Sequence, residues 1–295
     1  EKMRKLAKRM CSAVLAAGLV CGGILPASAA EAEEEARVLQ YETAGPVSAV
    51  EANVENARLV IQAGQTDKIT VESAADSKGT YTYGFSVKDG VLTVDVDAIE
   101  PEEVYSRETD RFGVHTTYGR TYDNTITVTL PAKTYASLCA EVDNGGIRFA
   151  DVEADALQAE VKNGNVAVQN VKADTVQTKI ENGSTLAMDV TAGTLRTEVG
   201  NGKIKFRNVT AGTLQAGLKT GSIGFEKASA SVYKCEVTTG SIQGTLQGDQ
   251  AAYRISVDLD WDWGVSSLKD QPGDGSGKSI DFHVQLGNVD VSFAA

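Results

Sequence analysis

The chain is short of the residues that carry most protein chemistry. Of 295 residues only two are histidine, four cysteine, five proline and two tryptophan, and aromatics amount to 6%. The two histidines, His115 and His283, lie far apart in sequence. They suggest neither a metal site nor a Ser-His-Asp arrangement. No catalytic constellation and no cofactor-binding motif stands out. Basic residues are also in deficit, 28 against 40 acidic, which argues against nucleic acid and anionic lipid as partners because both would be repelled. After residue 30 no apolar run approaches the roughly 20 residues of a membrane-spanning helix. What is abundant is glycine, 29 residues. Many glycines with few prolines point to tight turns joining short elements.

Residues 1–30 have the layout of a cleaved signal peptide. Lys2, Arg4, Lys5, Lys8 and Arg9 precede an apolar run from Met10 to Leu25. The run ends in Pro26-Ala27-Ser28-Ala29-Ala30, with small residues where a signal peptidase reads. Acylation at Cys21 is the competing reading, disfavoured because Leu19 and Val20 precede it where small residues are wanted. Five of the 28 basic and one of the 40 acidic residues leave with the segment, so 23 face 39 in the remainder, a formal net of −16. Residues 31–46, beginning Glu31-Ala-Glu-Glu-Glu35, read as an acidic flexible stretch.

From about Leu138 the sequence repeats every 19 residues. Gly145, Gly164, Gly183, Gly202, Gly221 and Gly240 mark the period, preceded by Asn144, Asn163, Asn182, Asn201, Thr220 and Thr239. Three residues before each glycine stand Val142, Val161, Ile180, Val199, Leu218 and Val237, and seven before it Leu138, Leu157, Val176, Leu195, Leu214 and Tyr233. After the glycine come Gly-x-Ile-x-Phe phases such as Ile147 and Phe149, or Ile204 and Phe206. The third window looks out of phase, with Leu186 and Met188 where 185 and 187 should be apolar. Asn-Gly between alternating strands also signals an antiparallel hairpin. A fixed period with one residue class at each phase instead means equivalent coils stacked on one another. The expected fold is an all-β, single-domain β-solenoid with coils advancing about 4.8 Å each.

This geometry carries consequences. Cys235 falls at an inward position and Cys139 at an outward one, about five coils or roughly 24 Å apart, too far for a disulfide. The turn asparagines should stack into an amide ladder; a ligand-binding row is the functional alternative. The solenoid should fill 47–295, with an irregular part over 47–131, regular repeats over 132–250, and C-terminal coils over 251–295. Arg58–Ile61 and Lys68–Val71 read as strands, and Asp89-Gly90 as a hairpin turn. Residues 99–124, with Tyr105, Phe112, His115, Tyr118 and Tyr122, read as a long loop. Tyr253, Ile255 and Val257 start another coil whose turn is replaced by an inserted loop, 258–279. Ile280 to Val291 then resume the pattern, and Phe293 caps the core.

Few residues invite a chemical reading. Asp258, Asp260 and Asp262 resemble a calcium loop briefly, but position six is Trp263 and position twelve Lys269, against the required Gly and Glu. Trp261 and Trp263 alternate with these aspartates. They either stack on a sugar or anchor a partner, or they cap the core. Lys203, Lys205 and Arg207 form an outward basic row that acidic residues nearby should neutralise. No six-residue subperiod of acyltransferase solenoids is present, nor the clustered acid and base groups of polysaccharide lyases.

Leu130-Pro131 closing a strand-rich region, then Gly202-Lys203-Ile204-Lys205-Phe206, Gly221-Ser222-Ile223-Gly224-Phe225 and Gly287-Asn288-Val289-Asp290-Val291, together resemble the bacterial putative-adhesin domain family of unknown function. The resemblance covers about Val47 to Phe293. It implies a β-solenoid of the cell surface or envelope, with no catalytic residues to carry over. The expected role is therefore an exported, non-enzymatic module that binds a protein or glycan partner. The alternatives are an envelope-stress regulator sensing a peptide or membrane partner, and a carbohydrate-active enzyme. In a bacterial host the chain should lose its first 29 or 30 residues on export. N-terminal sequencing of the exported product checks this, and an intact Met3–Leu25 segment would contradict it.

Overall fold

The corner glycines hold the fold in register. In the computed structural model, which describes residues 39–43, 45–73, 81–98, 103–110, 113–120 and 124–294, the described strands are β1 (Leu39–Thr43), β2 (Ala49–Val54), β3 (Ala57–Gly64), β4 (Ile69–Ser73), β5 (Tyr81–Lys88), β6 (Val91–Ala98), β7 (Glu103–Asp110), β8 (Gly113–Arg120), β9 (Thr125–Pro131), β10 (Thr134–Ala150), β11 (Glu153–Gln247), β12 (Tyr253–Leu259) and β13 (Lys278–Ala294). The expected signal segment, Cys21 and the acidic start lie outside the described residues. β10 pairs in parallel with the start of β11 at an offset of 19 residues, Gly145 opposite Gly164 and Val142 opposite Val161. The chain is an all-β solenoid, as its period implied.

Each coil presents three inward runs. In the first regular coil these are Leu138, Ala140 and Val142, then Ile147 and Phe149, then Val152 and Ala154, all buried. The first corner is the Asn-Gly pair. Gly145, Gly164, Gly183, Gly202, Gly221, Gly240 and Gly287 all have φ between +137° and +152°. A Cβ on Gly183 would lie 1.6 Å from the carbonyl oxygen of Gly164 in the layer before, so glycine is obligatory there. The second corner was not read from the sequence. Asp151, Asn170, Asp189, Asn208 and Lys227 repeat at the same period with φ of +50° to +59°, the left-handed conformation that Asn and Asp tolerate best. Asn170 Nδ2 donates to Asp151 Oδ1 in the coil before, at 2.6 Å.

The corners overrule local hydrophobicity in the third coil. Thr185 and Ala187 keep the inward phase and are buried, while Leu186 and Met188 are only half-buried. The expected phase break therefore does not occur. Gly183 and Asp189 fix the backbone on either side, and two residues cannot swap faces between fixed corners. The cost is visible, because Thr185 Oγ1 is buried without a hydrogen-bond partner. Thr178 and Thr197, also inside, satisfy each other at 3.0 Å.

Both ends depart from chain order. At the N-terminal end β2 and β3 form a coil on β10. β6 then adds in parallel to β2, and β9 to β3, as one further layer. Antiparallel β5 covers β6, and antiparallel β4 and β1 cover β9. Ser73, Asn124 and Tyr83 close a hydrogen-bonded triangle of 2.8–3.0 Å in this cap. Two expectations are corrected here. Leu39–Thr43 is a strand rather than flexible, with Tyr41 against Phe85 at 5.4 Å and Glu42 paired with Lys68. Most of 99–124 is the antiparallel pair β7–β8 rather than a loop; its Val, Thr and Tyr content favours strands without apolar alternation.

At the C-terminal end β13, not β12, stacks on the last regular coil, Gly287 opposite Gly240, and β12 lies outside it. The loop after β12 returns to shield the outer edges. Ile255 and Gln271 exchange backbone bonds, Asp270 accepts from Val257 N, and Ser267 N donates to Val289 O. These contacts occupy groups that an open solenoid end would leave free. Leu268 is buried within the loop. Phe293 packs on Tyr253 with ring centroids 5.5 Å apart.

Cys139 and Cys235 are free thiols. Burial raises both above the ordinary thiol range, Cys235 much the further. Alkylation with peptide-level mass mapping should label Cys139 slowly in the native protein and Cys235 only after unfolding. For the corners, Gly183→Ala should cost about 3 kcal/mol or more, through backbone strain and the overlap with Gly164. Thr185→Val should gain about 1 kcal/mol by removing the unpaired hydroxyl. Denaturant midpoints of the two variants against the parent check both signs.

Candidate functional site

The corner before Gly287 breaks the pattern of the others. Where regular coils carry Asn or Thr, Leu286 stands, half exposed at 50%. The segment after β12 docks beside it. Gly264 N donates to Trp261 O at 2.9 Å to close a turn, Val265 N donates to Asn288 Oδ1, and Val289 N donates to Val265 O. A Cβ on Gly264 would sit 3.0 Å from Gly287 O and 3.1 Å from Trp261 O, so the turn approaches the corner closely only because it carries no side chain. The result is a group of exposed apolar side chains. Trp261 is 46% exposed, Trp263 79% and Val265 67%.

Of the two readings of the tryptophans, exposure excludes the core cap. Leu268 and the aromatic group Phe206, Phe225, Tyr233, Tyr253, Phe282 and Phe293 fill that end instead. Leu286 and Val265 were missed in the sequence. Leu286 had a usable signal, an apolar residue at the phase of Asn144 and Thr239. Val265 had none, because its place depends on the loop's return.

On the outward side of the strands before the corner runs a shallow groove of about 670 Å³. Gly200 and Gly217 supply floor without side chains, and Lys179, Glu198, Lys219 and Glu236 stand around it. It extends to His283, which the β12–β13 register places opposite Asp258. His283 Nδ1 lies 3.1 Å from Asp258 Oδ2, and Nε2 lies 3.5 Å from Asp260 Oδ2. Asp262, the third aspartate of the sequence pattern, is exposed.

The turn asparagines and two residues of the basic row have nearby partners. Asn163, Asn182 and Asn201 each donate through Nδ2 to Oδ1 of the asparagine one coil earlier, at 2.9–3.0 Å. Asn144 donates to Asn56 at 2.7 Å. Asn144, Asn163 and Asn182 thus each spend a donor and an acceptor along the stack, and Asn201 a donor. In the basic row Lys205 and Arg207 converge on Glu226 of the next coil, at 3.3 and 2.9 Å. Hydrogen bonds from Arg207 and then Lys205 hold the Glu226 carboxyl below its usual range.

The family model described as Toastrack DUF4097 matches residues 47–260, and the chain belongs to that family. One solved structure agrees in fold, and two more are similar. A putative adhesin from Bacteroides fragilis is 14% identical, aligned over 88% of this chain and 99% of its own, with a TM-score of 0.52. A putative adhesin from Parabacteroides distasonis is also 14% identical, over 88% and 98%, with a TM-score of 0.47. A putative lipid binding protein from the same species is 13% identical, over 89% and 98%, with a TM-score of 0.47. No curated protein matches the chain. Among the described residues no helix is long and apolar enough to cross a membrane.

Proposed function

We propose that this member of the Toastrack DUF4097 family is a non-enzymatic binding module of the cell surface or envelope, which holds a protein or glycan partner at its C-terminal end. The observation that carries the reading is the exposure of Trp261 and Trp263 beside Leu286 and Val265. The protein places its other large aromatics of that end inside, so two exposed indoles on one short turn stand apart. Indole faces stack on sugar rings and fill protein pockets, and tryptophan is among the residues that dominate interface energetics. The signal-like segment and the adhesin names of the structural neighbours favour a surface location. The acidic surroundings, Asp258, Asp260 and Asp262, favour a neutral or basic partner over an anionic one.

The test is a glycan array and a pull-down from surface extracts, run with the parent and with the double variant Trp261→Ala, Trp263→Ala. A partner retained by the parent should lose at least tenfold in affinity with the variant, in line with the roughly 2 kcal/mol or more of a hot-spot residue. Equal retention by both would remove the tryptophans from the reading. Products released from a polysaccharide panel at high protein concentration would overturn the non-enzymatic part.

A further inference from the structure

We propose that Asp258, Asp260 and His283 form a site for a borderline divalent metal ion, of which zinc is the type. They lie at the end of the groove where β12 meets β13. One donor atom from each lies within 4.8 Å of the other two. The set is not local in sequence. Asp258 and His283 are 25 residues apart and meet only because β12 lies outside β13 in parallel register.

The imidazole decides the chemistry. Both of its ring nitrogens face a carboxylate oxygen. A neutral imidazole has one N–H and one lone pair. It can therefore donate to one aspartate, while its other nitrogen confronts the second as acceptor against acceptor. A cation between that nitrogen and that oxygen turns the conflict into two coordinate bonds.

The two distances divide the roles. At 3.1 Å, Nδ1 and Asp258 Oδ2 are at hydrogen-bond length. Nδ1–H donates to Asp258, which fixes the tautomer and the ring plane, the usual duty of an outer carboxylate toward a ligating histidine. At 3.5 Å, Nε2 and Asp260 Oδ2 are too far apart for a good hydrogen bond. That spacing is close to the roughly 3.3 Å separating two ligands of a tetrahedral zinc with bonds of about 2.0–2.1 Å. Nε2 and Asp260 are thus the ligands, and Asp258 the positioning residue. An imidazole among the donors selects zinc, copper or nickel over calcium and magnesium, which take oxygen. Glu236, exposed, lies opposite His283 on the neighbouring coil of β11. Trp261 and Trp263 are not donors, so the site stands or falls apart from the partner-binding reading.

Calorimetric titration of the full chain with zinc chloride, with ¹⁵N spectra of the imidazoles, tests the assignment. One zinc per chain should bind, with the His283 Nε2 resonance moving as zinc is added. His283→Gln and Asp260→Asn should abolish that binding. Asp258→Asn should weaken it about 10–100-fold, because the amide oxygen still accepts from Nδ1–H. His115→Gln and the double tryptophan variant should bind zinc like the parent, and thermal melts should show all variants folded. The proposal is overturned by absence of zinc binding, by binding that survives His283→Gln, or by binding that disappears with His115→Gln. It is equally overturned if His283 reads as protonated on both nitrogens with zinc present, since the ring would then be a cation in its own right between two aspartates.

Discussion

A carbonyl oxygen of each layer occupies the space where the next layer's corner residue would begin its side chain. From Gly145 to Gly287 this contact repeats, and in the regular stack the missing Cβ would sit only 1.6–1.7 Å from that oxygen. No other residue fits, and no slip of one position along the chain is allowed. The Asn column before the glycines depends on the same contact, because amides can pass hydrogen bonds from coil to coil only at strand spacing.

With the corners fixed, the side chains between them are sorted by phase and not by preference. The interior holds Thr178, Thr185 and Thr197 at positions where other coils carry apolar residues, at the cost of one unpaired hydroxyl on Thr185, and the exterior holds Leu186 and Met188. Outward charges are stacked one coil apart, and several columns alternate in sign. Lys162 pairs with Asp143, Lys179 with Glu160, and Arg207 with Glu226. Such exposed pairs add little stability each. Their more useful effect is to set opposite charges across from one another along these columns.

The regular part was legible because its constraint is written in single residues at a fixed spacing. Gly164 or Asn182 announces its place without reference to anything distant, and the Asp89-Gly90 hairpin is equally local. The second corner escaped because it alternates Asp151, Asn170, Asp189 and Asn208 and then becomes Lys227, so no one residue type marks it. The strand order at the ends was not legible for a different reason. That β6 and β9 lie outside β2 and β3, or that β13 lies inside β12, is a matter of which strand reaches an open edge first, and residue type does not record it. The candidate site inherits this. The tryptophans could be singled out from the sequence, but Leu286, Val265 and the meeting of His283 with Asp258 follow from the returning loop.

The position of β13 bears on assembly in time. A chain that emerges from its N-terminus can add β10 and the coils of β11 in order, each templating the next. β12 is made before β13 yet has nothing to lie against until β13 has taken its place on the Gly240 coil. Until then the growing face is bare, with unpaired amides and the aromatic interior open to any passing strand. Closure therefore waits for β13, and a ribosome that stalls after β12 leaves a nearly complete molecule with that edge uncovered.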